Sequence, residues 1–147
     1  MPKKYAGKNP QSPNCDGDNV ALPLVWKNAP ANAKSFAITM VDPVPRGGAG
    51  FVHWVAYGIP ASKTGFNAGE ANNAMGFVSG KNGAGNQGWL GPCPPLADAA
   101  HPYTIVLIAT DLAPDALQPG LSRDELIAAL NGHALGATSF VARYRKP

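Results

Sequence analysis

Along SFAITMV (35–41) the chain alternates with period two: Phe36, Ile38 and Met40 fall on one side, Ser35, Ala37, Thr39 and Val41 on the other. That alternation predicts a β-strand. FVHWVAYGI (51–59) is rich in aromatic and β-branched residues, ends at Pro60, and predicts a second strand. The DPVPRGGAG run between them cannot continue a strand, because proline fixes φ and lacks an N–H. A hairpin or a near-neighbour pair is the economical arrangement. YTIVLIATD (103–111) is apolar without interruption, as expected of a central strand covered on both faces. ATSFVARYR (137–145) alternates Phe140, Ala142 and Tyr144 against more polar neighbours and predicts a last strand.

Only PGLSRDELIAALNG predicts a helix. Ser122 is a suitable N-cap, and Glu125 three residues on completes a capping box. Leu121 and Leu126 are spaced for a hydrophobic staple, and Gly132 sits where the helix should stop. Residues 61–100 are dominated by Gly, Asn and Pro, with Phe66, Met75, Phe77 and Trp89 as scattered anchors. They predict a long structured loop region with one or two short strands, and loops of that length usually carry function. Strands dominate and the helix is peripheral, so the fold class is all-β, or β-rich α+β.

With 147 residues and no repeat, linker or low-complexity block, the chain reads as a single domain over 1–147. Only 14% of residues are charged against 45% hydrophobic, which describes a globular chain, and 17 glycines with 15 prolines give it many turns. The net charge is +3, but Lys3, Lys4, Lys8, Arg143, Arg145 and Lys146, half of the 12 basic residues, lie near the termini. These are expected to be solvated, and no internal basic cluster points to a nucleic-acid partner. No apolar run reaches the roughly 18 residues of a membrane span. The first residues lack the apolar core of a signal peptide, so a cytoplasmic protein is expected, with an exported one whose leader is removed as the alternative. Cys15 and Cys93 allow one disulfide; their spacing does not establish it, and two separate, partly buried thiols are expected.

The candidate chemistry gathers at strand ends. Asp42 lies at the exit of the first strand and His53 near the start of the second, so antiparallel pairing would bring both to one rim. His101, just after GPCPP, reaches the same rim if its strand runs parallel to the second. Histidine N–H groups donate to phosphate or carboxylate oxygens. Asp42 would repel a fully ionised anion, and suits a phosphate that keeps a proton or a ligand that also carries an ammonium. A core histidine bonded to a backbone carbonyl is the competing reading for His53, and spacing leaves both open. Pro43, Pro45, Pro92, Pro94 and Pro95 stiffen their loops, and Gly91 would let the backbone approach a ligand closely, although such residues are also ordinary turn punctuation.

CDGDN (15–19), LPLVWKNAP (22–30), DPVP (42–45), FVHWVAYGIPA (51–61), GPCPP (91–95), HPYTIVLIATD (101–111) and HALGATSFVARY (133–144) together resemble the phosphatidylethanolamine-binding protein family, in its bacterial and archaeal Raf-kinase-inhibitor-like branch. The resemblance covers nearly the whole chain from residue 12, and the pairing of DPxxP and HW with GPCPP and His is highly specific. It implies a β-sandwich built on a central antiparallel sheet, with small peripheral helices. It also implies an anion pocket of Asp42, Pro43, His53, Gly91, Pro92, His101 and Tyr103, with His133 in a structural role. Two departures bear on the ligand: Val44 replaces the second acid of the family's DPDAP, and Pro102 replaces the arginine of its HRY. A further strand ahead of CDG is not recognisable here.

The resemblance implies a binding protein for a small phosphorylated or zwitterionic ligand of phospholipid-head-group type, with a protein partner such as a kinase as a related role. No cofactor or metal is expected, and no enzyme activity. The alternative is a hydrolase or metal-dependent enzyme using Asp42, His53 and His101. It lacks a G-x-S-x-G nucleophile context, and Cys93 is its one candidate thiol.

Overall fold

The computed structural model describes residues 1–147. In chain order its elements are strands β1 (Leu24–Val25), β2 (Ser35–Asp42), β3 (Phe51–Pro60), β4 (Gly65–Phe66), β5 (Val78–Ser79) and β6 (His101–Thr110), helix α1 (Arg123–Ala129), and strand β7 (Ala134–Tyr144). Five strands form an antiparallel sheet in the order β5-β3-β2-β6-β7, and β1 pairs with β4 in a small second layer. The four long strands fall where the alternation and the apolar runs predict them. The central position belongs to β2, however, and β6 lies beside it, opposite β3.

Each face of the sheet buries one half of the alternating pattern. Phe36, Ile38 and Met40 of β2 join Trp54, Tyr103 and Ile105 under the β1–β4 layer and the N-terminal segment. Ala37, Val55, Tyr57 and Ile108 face the other way and pack on Leu126 and Leu130. Helix α1 has seven residues, too few to be stable alone. Its capping box forms as the sequence predicts, and the fully buried Leu126 anchors it to the sheet.

Four expectations need correction. Met75 is 80% exposed, while Phe66, Phe77 and Trp89 are buried; it sits between two left-handed residues, Ala74 and Gly76, at a turn that lifts it into solvent. Phe140 is 48% exposed, because the covering layer does not extend over that part of edge strand β7, although Tyr144 at its end is buried. The two cysteines are not separate thiols: Cys15 and Cys93 form a disulfide. Gly7 N donates to Pro92 O at 2.8 Å and Gly91 N to Asn19 Oδ1 at 2.8 Å, so the N-terminal arm lies against the 91–95 loop and carries one sulfur to the other. The N-terminus is therefore not simply solvated. Tyr5 and Ala6 are buried, and the Met1 ammonium donates to Arg143 O at 2.8 Å.

Candidate functional site

The antiparallel register brings three strand ends to one rim. Asp42, last in β2, has Phe51 as its partner on β3, and Val41 beside it pairs with Thr104 on β6. Because β3 and β6 both run antiparallel to β2, they are parallel to each other, and their first residues lie at the rim where β2 ends. Between Met40↔Trp54 and Val41↔Val52 the register shifts, which leaves His53 without a partner. His53 is thus the extra residue of a β-bulge, a device that re-aims side chains beside functional sites. The bulge puts Phe51 and Trp54, three residues apart, on the same face of the sheet. The His53 ring meets Phe51 at 5.0 Å and Tyr103 at 5.1 Å, both edge to face.

The rim encloses a cavity of about 530 Å³. Asp42, His53, Gly91, His101 and Tyr103 all line it, so five of the seven residues implied by the resemblance come together. Pro43 and Pro92 do not line it. Pro43 is exposed, and Pro92 is fully buried, its carbonyl accepting from Gly7 N. Pro45, Pro94 and Pro95 take the lining positions instead. Gly91 also has a different reason to be glycine. A Cβ there would stand 2.5 Å from Tyr5 O and 2.7 Å from Gly7 N, so the close approach is by the protein's own N-terminal backbone.

Lys8, Asn9 and the Cys15–Cys93 bridge complete one wall. Nothing in the local pattern of MPKKYAGKNP marks Lys8 as different from the other terminal lysines. Only the long-range docking of this arm on the 91–95 loop brings it to the cavity. The disulfide also removes Cys93 as a candidate nucleophile, since the attacking species would be a thiolate.

The pKa values of the two cavity histidines are displaced in opposite directions. His53 Nδ1 lies 2.8 Å from Leu90 O; a carbonyl only accepts, so Nδ1 carries the proton. Burial is the main cause that lowers its pKa below the ordinary value. The ring is therefore neutral at pH 7, with the Nε2 lone pair free to accept. Both readings of His53 hold at once: it is backbone-anchored through one nitrogen and lines the cavity. His101 is also buried, which opposes its charged form, but bonds to Asp42 and Asp98 outweigh this and raise its pKa. Its Nδ1 is 2.6 Å from Asp42 Oδ2 and its Nε2 3.1 Å from Asp98 Oδ2, so both ring nitrogens face carboxylate oxygens, an arrangement that favours the imidazolium. Tyr103, between the two rings, is driven upward by burial and then by the Asp42 charge, so its hydroxyl stays protonated.

Asp98 is the residue that the sequence reading missed. It follows the Pro-rich block in a segment without regular structure, and its only signal was a position three residues before His101. The third histidine, His133, bonds Asp111 at 2.8 Å near the end of α1, away from the cavity, in keeping with a structural role. The metal alternative finds no support in the side-chain arrangement. No group of three or more His, Cys, Asp or Glu is placed to hold a metal ion, and the ring nitrogens are largely committed.

With this geometry established, three kinds of relative can be compared with the chain. A family model for phosphatidylethanolamine-binding proteins matches residues 2–145. A UPF0098 protein of Methanothermobacter thermautotrophicus is 37% identical over 143 residues, covering 95% of this chain and 92% of its own length. A second, from Pyrococcus abyssi, is 33% identical over 151 residues, covering 99% of this chain and 79% of its own length. The crystal structure of Escherichia coli YbcL, described as a member of the mammalian PEBP family, superposes with a TM-score of 0.86 at 26% identity, covering 100% of this chain and 91% of YbcL. A PEBP homolog of Chlamydia trachomatis gives a TM-score of 0.85 at 29% identity, with 100% and 90% covered.

Proposed function

The chain belongs to the phosphatidylethanolamine-binding protein family, and we propose that its rim cavity holds a small ligand that carries both a phosphate and a proton to share, such as a zwitterionic phosphoethanolamine head group. The observation that carries this reading is the state of His53: neutral, anchored through Nδ1, with an accepting Nε2. A fully ionised phosphate offers that nitrogen nothing. A phosphate that keeps one proton donates to it, and the Lys8 ammonium and protonated Tyr103 hydroxyl supply complementary donors. Asp42, His101 and Asp98 sum to one negative charge, which suits an ammonium on the same ligand.

On this reading the chain binds rather than transforms its ligand. The hydrolase alternative loses its thiol to the disulfide. Docking on a kinase rests on the resemblance alone and is not part of the proposal. The Cys15–Cys93 bridge supports a working place that is oxidising, and so favours export over the cytoplasm.

The test is an NMR titration of the three histidine side chains with inorganic phosphate, O-phosphoethanolamine and a divalent metal in turn. His53 and His101 should shift together with the phosphorylated ligand while His133 stays still. Shifts with metal alone would replace the reading by a metal site, and no shift with any probe would refute it.

A further inference from the structure

The layer over the sheet stops short of edge strand β7, and the gap it leaves has an apolar floor. On the face that carries the main core, Phe36 of β2 pairs with Ala109 of β6, which pairs with Gly136 of β7. One rung along, Ile38 pairs with Leu107, and Leu107 with Thr138. Both rungs thus end in a small residue at β7. What remains is a groove between β7 and the 24–30 segment, made of two cavities of about 310 and 280 Å³ that share Trp26, Lys27, Leu107 and Thr138. Together they have the size of a small-molecule site. The groove has no residue in common with the rim cavity.

The backbone does not force this gap. A Cβ on Gly136 would meet only Pro30 Cγ, at 3.9 Å, an ordinary contact, and Gly136 is not among the glycines with positive φ. A larger side chain there would fit, and would bury apolar surface that now stands open. The charge beside the groove indicates what fills it instead. Lys27 borders both cavities, is exposed and takes part in none of the protein's ion pairs. No acidic residue lines either cavity. An uncompensated cation beside an apolar trough is complementary to an amphiphile with one anionic head and an unbranched tail. We propose that the groove binds a medium-chain aliphatic carboxylate, its tail along the sheet and its head on the Lys27 ammonium. The Thr138 hydroxyl is a second donor for the head.

The test follows the Trp26 indole N–H by NMR while decanoate is added. Trp26 is buried and its Nε1 has no hydrogen-bond partner, so its resonance reports on packing in the groove. Trp54 and Trp89 do not line the groove and serve as internal references. Decanoate should move Trp26 and leave the His53 ring still. Hexanoate should bind more weakly, by up to about fourfold for each methylene lost. Decanol has the same tail without the charge and should bind about threefold more weakly than decanoate, a difference that Lys27→Gln should remove. Gly136→Val with Thr138→Leu fills the groove. That variant should lose the Trp26 shift while its stability in urea equals or exceeds the wild type, which separates lost binding from lost folding. A Trp26 resonance unmoved by decanoate overturns the proposal. So does a shift at His53 in place of Trp26, which would put the carboxylate in the rim cavity, and so does equal affinity for decanol and decanoate. If dilution of the protein alone moves Trp26, and sedimentation shows a dimer that dissociates over the same range, the occupant is a second copy of the chain and the proposal falls.

Discussion

Asp42 and His101, 59 residues apart in sequence, meet at 2.6 Å with both side chains almost wholly buried. The pair fastens the end of β2 to the start of β6 and forms the floor of the cavity. Removing one member of a buried, hydrogen-bonded pair leaves the other charge uncompensated, at a cost of about 3 kcal/mol. Asp42→Asn keeps the volume and can still accept from Val44 N. It should lower unfolding stability by that amount in urea, with the denaturant slope unchanged, and should lower the His101 pKa in an NMR titration. A loss well under about 1 kcal/mol would mean that Asp98 alone carries the pairing.

The histidines also predict how stability depends on pH, with opposite signs. His101 has a raised pKa in the folded state, so folding binds a proton that the unfolded chain lacks. Its contribution is complete below the unfolded value of about 6.5 and is lost as pH rises through the folded pKa. His53 has a lowered pKa, because burial disfavours its charge. Its cost is absent above about 6.5 and appears as pH falls toward the folded value. Stability should therefore be greatest near pH 6.5. In chemical denaturation across pH, His53→Gln should flatten the decline on the acid side just below 6.5, and His101→Gln should flatten the decline on the alkaline side. A wild-type profile that rises steadily from pH 6.5 to 8 would contradict the assignment of His101.

How much of this was legible in the sequence depends on the range of each interaction. The strands follow from local alternation, and the α1 capping box from two residues three apart. The rim follows from those strands once they pair antiparallel, so Asp42, His53 and His101 could be placed together without coordinates. His53 as a bulge residue could not be found, because the shift between Met40 and Val41 is a property of the pairing of two strands and leaves no mark on either alone. Lys8 and the disulfide were hidden for a related reason. Both depend on the N-terminal arm folding back on the 91–95 loop, over 70 residues away. Pro43 and Pro92 show the converse error: a motif names residues that build a wall, and only geometry shows which of them face the cavity.

The Cys15–Cys93 bridge closes a loop across a sequence separation of 78 residues. By loop entropy, constraining so long a stretch of the unfolded chain stabilises the fold by up to about 4 kcal/mol. The bridge also holds the arm that brings Lys8 to the cavity. Reduction, or Cys15→Ser with Cys93→Ser, should lower the melting temperature and weaken binding of O-phosphoethanolamine, with the second effect following from freedom of the arm. Mass spectrometry under non-reducing conditions should find the linked peptides. Recovery of two free thiols from protein purified without reductant would remove both expectations.

Gly91 offers a sharper test of the arm, because its role is steric. An added Cβ would meet Tyr5 O and Gly7 N, both backbone atoms, at 2.5 and 2.7 Å, so neither can rotate aside. Gly91→Ala should force the arm off the loop, at a cost of about 2 kcal/mol. It should also strain the neighbouring bonds from Gly7 N to Pro92 O and from Gly91 N to Asn19 Oδ1. Ser122→Ala is the control: it removes the α1 cap and should cost about 1 kcal/mol without touching the cavity. The two variants should thus both lose stability, while only Gly91→Ala weakens ligand binding and raises amide exchange over residues 5–9. Unchanged exchange in the arm would place the adjustment in the 91–95 loop instead, and would make that loop, rather than the arm, the pliable wall of the site.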